Sequence, residues 1–403
     1  MPLPVFAMMV CTFCIGTAES VIAGILPAIA QDIHVSLAAV GMLISVYAVA
    51  VVLAGPFVTA VTSRLRRAVP LPCMMGVFVL GNVLAALAPG FAWLITGRVV
   101  SALVHSTLIA AFVATARDMA PANRRAAWGA KITLGIGLSS VAGVPVGTLI
   151  GNAFGWRATF WALAALSLAA TLLLLRCPPP QAPPTPDRRH DATGGRQRPV
   201  LSGPLVLTAL VIALGTAGAF TLYTYASPYL TRAAGFPSQA VTILLLLYGA
   251  GGLVGNMLGG RAADRFPHAT VPVTLGTVAA ALLLLALPTT GRWTAAVAFC
   301  LLGTAYFATI PALNTRIVIA AGPSSPTMAL TINNSAFCIG IALGSWLGGL
   351  LLTHGHSLPS IAAAGAALTA TAVLVALTTP TRRETPRASA ATTTEATEPF
   401  RVR

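Results

Sequence analysis

The chain has 403 residues, of which 56% are hydrophobic and 8% charged. A soluble domain carries about a quarter charged residues, so a water-soluble globule of this length is excluded. The formal charge of +15 raises a nucleic-acid surface, but the basic residues are spread over short connections between apolar runs and form no continuous basic face.

Runs of about 20 apolar residues recur along the chain, the length that crosses a bilayer core of about 30 Å. Twelve are read in chain order, at residues 3–29, 37–62, 69–88, 92–116, 128–152, 158–175, 201–226, 240–261, 271–287, 293–319, 327–352 and 359–377. Turn signals such as Ala88-Pro89-Gly90, Ala120-Pro121 and Gly322-Pro323 separate them. The first run has no Lys or Arg before it and is of spanning length, so it reads as a membrane helix and not as a cleaved leader. The predicted fold class is an all-α membrane protein of twelve transmembrane helices. Residues 177–200, rich in Pro and Arg, read as a disordered cytoplasmic linker. That linker divides a six-helix bundle at 1–176 from a second at 201–378, and 379–403 reads as a disordered cytoplasmic tail.

Orientation follows from the bias of basic residues towards the cytoplasm. With the N-terminus inside, 20 of the 24 Lys and Arg fall in inner connections or the tail. Arg157, Arg232 and Arg292 fall outside, and Arg98 lies within a span. The chain is therefore expected to be a multi-pass protein of the cell (inner) membrane with both termini in the cytoplasm, and the arginine-heavy composition points to a bacterium. Membrane lipids with anionic headgroups are the natural partner of the inner arginines; no nucleic acid is expected. Of the six cysteines, Cys11, Cys14, Cys73, Cys300 and Cys338 fall inside spans and Cys177 at the inner face. Cys11 and Cys14 read as small apolar residues one turn apart in preference to a redox pair, and no disulfide framework is expected.

The first span contains the stretch FCIGTAESVIAGILP, with Glu19 in its middle. Placing an acid at the bilayer centre costs about 2.5–3.5 kcal/mol on insertion scales, and helix packing does not require it. Well inside the spans the charged side chains are Glu19 and Arg98, with His105 the one deep histidine. From the helical rise, Glu19 lies about 15 Å below the outer end of its span, between Arg98 at about 9 Å and His105 at about 20 Å. Arg98 and His105 are seven residues apart and share a helix face. These three are the proton-coupling candidates: Glu19 loads and releases a proton, Arg98 opposes its protonation, and His105 relays or lines the cavity. A static Glu19–Arg98 pair that fixes two spans, and direct recognition of a cationic substrate by Glu19, stay open.

Small residues recur at every fourth position in span 5 (Gly135, Ser139, Gly143, Gly147, Gly151, Gly155), in span 8 (Gly251, Gly255, Gly259) and in span 11 (Ala336, Gly340, Gly344, Gly348). Such faces let helices approach closely. Their equivalent places in two halves point to a pseudo-symmetric interface and to a transporter that rocks one bundle against the other. The substrate site is expected between the halves near mid-membrane, with Thr17, Tyr47, Tyr223, Tyr225, Tyr306, Asn314, Asn333 and Asn334 as candidate liners. Hydrogen bonding between helices is the alternative use of each. A mixed aromatic and polar wall suits a neutral or mildly polar organic molecule.

The connections after spans 2 and 8 also match, as Thr59 to Arg67 and Gly260-Arg-Ala-Ala-Asp264-Arg265. Twelve spans, a central linker and the second of these loops resemble the major facilitator superfamily. Gly143-Val-Pro145-Val-Gly147 is similar to the Gly-Pro signature of its proton antiporters. The run from Gly16 to Pro27 resembles the first helix of the twelve-span drug:proton antiporters, including the chloramphenicol-resistance and arabinose-efflux-like proteins. The resemblance implies conformational-gating roles for Arg64, Arg67, Gly143, Pro145, Gly147, Gly260, Asp264 and Arg265. It implies a match of Arg98 to the family's intramembrane arginine. The first loop departs from the pattern, with Thr59 for the family's Gly and Ser63 for its acid.

The expectation is a secondary transporter that expels a small organic compound, drug-like or sugar-like, in exchange for protons. Proton-coupled uptake of a metabolite, and a non-transporting receptor or scaffold, are the alternatives. No enzyme motif, metal-ligand spacing or phosphate loop is present, and the one Lys is Lys131, so neither a cofactor nor a metal is expected. One chain supplies both halves of the pathway, so a monomer suffices.

Overall fold

The computed structural model describes residues 2–62, 70–121, 124–178, 202–287, 291–321 and 326–378. Arg64 and Arg67, residues 179–200 of the linker and the tail from 379 lie outside the described residues.

Among the described residues, ten helices are long and apolar enough to cross a membrane. Two apolar helices of 17 residues, Pro70–Ala86 and Thr270–Ala286, complete the set of twelve. In the first half, span 1 is Leu3–Ser20 followed by Ile22–Asp32, span 2 Leu37–Thr62, span 3 Pro70–Ala86, and span 4 Phe91–Leu103 followed by His105–Asp118. Span 5 runs as Arg125–Leu138, a π-helical turn Ser139–Gly143, and Val144–Phe154; span 6 is Trp156–Arg176. In the second half, span 7 is Gly203–Tyr223 with a short continuation Ala226–Pro228, and span 8 is Ser238–Arg265. Spans 9 to 12 are Thr270–Ala286, Arg292–Ala321, Pro326–Thr353 and Leu358–Thr378. Helices are what a lipid core permits, because each satisfies its own backbone hydrogen bonds.

Two corrections follow. The motif Gly260 to Arg265 is not a loop but the last turns of span 8, which continues four residues past the expected end at 261. Arg316, counted with the inner connections although it falls in the run 293–319, is inside span 10 and buried, donating through Nη2 to the Ala376 carbonyl at 2.8 Å.

The halves repeat each other at their turns. His34 between spans 1 and 2 and Gly235 between spans 7 and 8 have φ of 56° and 71°. Gly155 between spans 5 and 6 and Gly355 between spans 11 and 12 have φ of 86° and 78°. Left-handed backbone is what a side chain resists and glycine permits, so three of these four corners fall on glycine.

The small-residue faces pack within each half, not between the halves as expected. A Cβ on Gly135, Gly143, Gly147 or Gly151 would run into Thr12, Thr17, Val21 or Ile25 of span 1. A Cβ on Gly340, Gly344 or Gly348 would meet span 7 at Ala213, Ala217 and Thr221. Gly251, Gly255 and Gly259 of span 8 lie against Thr304 and Ala308 of span 10. The ladders therefore weld spans 1 to 5, 7 to 11 and 8 to 10 into rigid pairs.

The halves meet along spans 2 and 11 and along spans 5 and 8. Ser45 Oγ donates to the Ala342 carbonyl at 3.0 Å. Gly249 lies so close to the Ser140 carbonyl that no Cβ would fit. Tyr225 is wedged beside Gly41 of span 2 and Gly348 and Gly349 of span 11, with its hydroxyl donating to the Ser345 carbonyl at 3.1 Å. These contacts run from mid-depth to the face opposite the chain termini. Span 1 begins, and span 12 ends, at the opposite face, which carries both termini of the helical bundle.

Candidate functional site

Span 1 breaks at Val21, between its two segments. Span 4 does so at Val104, whose φ of −102° and ψ of −7° separate Leu103 from His105. Arg98 of span 4 reaches the last turn before the first break, and His105 opens the segment after the second, so the polar groups of the first half gather around the two breaks.

Arg98 is fully buried. Its Nη1 donates to the Ala18 carbonyl at 2.6 Å and its Nη2 to the Glu19 carbonyl at 3.4 Å, on the last turn before the break at Val21. Its guanidinium carbon sits 4.1 Å from the centre of the Tyr47 ring. The Tyr47 hydroxyl in turn meets His105 Nδ1 at 2.9 Å, and the two rings stand edge to face at 5.6 Å. A buried charge needs partners, and Arg98 finds them in two backbone carbonyls and an aromatic face. Its Nε has no partner.

The Glu19 side chain forms no ion pair with Arg98, so the static carboxylate–guanidinium pair is not formed. Glu19 is only half-buried although it sits at mid-span. Its carboxyl lies within electrostatic reach of Tyr47 and Arg98 in the first half and of Tyr223, Tyr306 and Cys338 in the second. A carboxyl with residual exposure and no paired basic side chain among the described residues can exchange a proton or meet a ligand donor.

Facing it from spans 7, 8 and 10 is an aromatic cluster. Tyr223 stacks on Tyr248 at 4.8 Å, Tyr248 packs against Phe299 at 5.0 Å, and Tyr306 meets Phe220 and Phe307 edge-on at 5.9 and 5.5 Å. Tyr223 and Tyr306 were legible from the sequence; Tyr248, Phe220, Phe299 and Phe307 were not singled out. The available signal was Tyr248 itself, one of six tyrosines, directly preceding the contact glycine Gly249.

The other expected liners separate. Asn333 Nδ2 donates to Asn314 Oδ1 at 2.8 Å, joining spans 11 and 10, while its buried Oδ1 has no partner. Asn334 is exposed. Thr17 bonds back to the Phe13 carbonyl at 2.8 Å and packs on Gly143, so it faces span 5. Tyr225 belongs to the seal between the halves. Among the gating residues, Gly143 and Gly147 hold span 5 against span 1 at its break. Pro145 sits in the first turn of Val144–Phe154, where its missing N–H costs little. Gly260 is partly buried and Asp264 and Arg265 are exposed at the end of span 8, with Arg265 over the ring of Phe266 at 5.7 Å. No group of three His, Cys, Asp or Glu placed to hold a metal ion occurs among the described residues.

Twelve spans in two like halves, with a polar and aromatic centre between them, are an architecture of membrane transporters. The family model for the Major Facilitator Superfamily matches residues 8–344. An uncharacterized MFS-type transporter of Bacillus subtilis, YfhI, is 34% identical over 370 residues, covering 91% of each chain. The inner membrane transport protein YdhP of Escherichia coli K12 is 34% identical, covering 92% of this chain and 94% of its own. A chloramphenicol resistance protein of Streptomyces lividans is 32% identical over 364 residues, covering 88% of this chain and 90% of its own. A bacterial homologue of the human lysosomal transporter Spinster, solved in an inward-facing and unoccupied conformation, superposes with a TM-score of 0.71 at 18% identity, covering 94% of this chain and 95% of its own. The chain belongs to the major facilitator superfamily. It is a multi-pass secondary transporter of a small molecule, and not an enzyme.

Proposed function

We propose that the protein exports a small organic compound in exchange for protons, with Glu19 as the coupling carboxyl. The observation that carries this reading is the Glu19 side chain: partly buried at mid-membrane, without an ion-pair partner among the described residues, and between an arginine-anchored helix break and an aromatic wall on the other half. Arg98 acts by position, holding the backbone of Ala18 and Glu19 so that its charge bears on the carboxyl without neutralising it by contact. His105 and Tyr47 continue that polar chain along span 4. Compound and proton then take turns at the carboxyl as the halves rock.

The seal along Tyr225, Gly41 and Gly349 closes the face opposite the termini. With both termini in the cytoplasm of a bacterial inner membrane, this is a form loaded from the cytoplasm. The likeness to a chloramphenicol resistance protein supports a drug-like cargo, taken against Tyr223, Tyr248 and Tyr306 with Asn333 and Asn314 as polar contacts. Gly143, Pro145 and Gly147 set the span 5 hinge, and Arg64, Arg67, Gly260, Asp264 and Arg265 gate the cytoplasmic ends. The functional unit is a single chain.

Proteoliposomes holding an acid interior and a pH dye test this. A transported compound added outside should collapse the gradient and accumulate inside. Compound movement in the same direction as protons would replace export by uptake. No movement of compound or proton across chloramphenicol, other drugs and sugars would favour a receptor or scaffold.

A further inference from the structure

Spans 8 and 10 touch along Gly251, Gly255 and Gly259 but part towards the face opposite the termini. The gap is a groove of about 640 Å³ whose wall is apolar, formed by side chains such as Phe236, Ile243, Leu247, Trp293 and Val297. Trp293 is 79% and Val297 68% exposed, so the groove opens sideways to the lipid and away from Glu19. It extends from Arg292, the first residue of span 10, to Cys300, which is about 12 Å of helix. That depth stays within one leaflet of a core about 30 Å thick.

Arg292 stands at the mouth with no ion pair or hydrogen bond to any described residue, its guanidinium 5.5 Å from the centre of the Phe236 ring. Arg157, on the same face, contrasts with it. Arg157 is tied to Asp32 and to the Ala88 carbonyl. At the mouth of the groove the first N–H groups of span 10 are also without helical acceptors, and such an end favours a phosphate. An apolar slot one leaflet deep under a cation with no partner among the described residues matches an anionic amphiphile.

We propose that this groove holds an anionic phospholipid of the leaflet opposite the termini, its phosphate on Arg292 and an acyl chain between spans 8 and 10. The site is independent of the coupling assigned to Glu19. Because span 8 also carries Gly249 onto span 5, the lipid would brace the span that bridges the halves.

Native mass spectrometry of the full chain in detergent, titrated with phosphatidylglycerol and with phosphatidylethanolamine, tests it. The wild type should retain one phosphatidylglycerol about tenfold more tightly than phosphatidylethanolamine. Arg292→Gln should erase that preference and Arg292→Lys should keep most of it. Ala296→Trp, filling the groove, should lower retention of both lipids about tenfold. Equal retention of the two lipids by the wild type, or undiminished phosphatidylglycerol binding by Arg292→Gln, would overturn the headgroup assignment. Unchanged lipid retention by Ala296→Trp would overturn the groove.

Discussion

Arg98 shows why residue type and depth did not determine partnership. The sequence put Glu19 and Arg98 at similar depths and left open a carboxylate–guanidinium pair. The guanidinium instead takes the carbonyls of Ala18 and Glu19, because five planar donors suit the end of a helical segment, where carbonyls lack helical donors. Arg98→Ala removes charge-assisted hydrogen bonds worth about 1.5–3 kcal/mol each and should lower the thermal midpoint in detergent accordingly. Arg98→Lys, a point charge unable to bridge both carbonyls and stack on Tyr47, should recover only part of that loss. Full recovery by Lys would mean that the charge alone matters and the bridge does not. Glu19, Arg98, Tyr47 and Tyr223 could all be named from composition against depth, since each is a polar group in apolar surroundings. That Thr17 turns to span 5, and Tyr225 to the seal, depended on helix rotation, which a span hydrophobic on all sides does not reveal.

At the level of the helices, the glycine ladders were legible but their neighbours were not. A spacing of four says that a face is smooth and leaves open which helix lies on it. A Cβ on Gly344 would press on the Ala217 carbonyl, whereas Gly76 has open space around it. Gly344→Leu should therefore destabilise by about 1–3 kcal/mol or more, and Gly76→Leu should stay within about 0.5 kcal/mol, as read by thermal unfolding. Equal effects would show that span 11 does not rest on span 7 as described. A second tie joins the ends of spans 1, 3 and 6, where Asp32 accepts from Arg157 and from Trp156 Nε1 at 3.1 Å. The Arg157 guanidinium, then the Trp156 N–H, hold the Asp32 carboxyl below the ordinary aspartate value. A carboxyl lowered in the folded state contributes its stability above the unfolded value of about 3.9, and loses it as pH falls through the folded one. Asp32→Asn should therefore cost no more than about 1 kcal/mol for so exposed a pair, and the same amount at pH 5 as at pH 8. A cost that disappears between those values would contradict the assignment.

Across the whole molecule, twelve spans, two halves and the family were readable because hydropathy, basic-residue bias and repeated motifs act over long stretches. The pairing of the halves was not, since it depends on contacts such as Ser45 to Ala342 between residues 297 apart. If the structure is the form closed opposite the termini, cysteines at positions 45 and 342 should be joined by a short cleavable thiol crosslinker, stopping transport until it is cleaved. Undiminished transport by the crosslinked protein would mean that this contact need not open. The central claim concerns Glu19 and is tested most directly by Glu19→Gln in proteoliposomes, comparing pH-driven accumulation of a transported compound with its exchange at equal pH. The account predicts that the variant loses accumulation against a concentration gradient while exchange persists. Accumulation at the wild-type level by Glu19→Gln would contradict it.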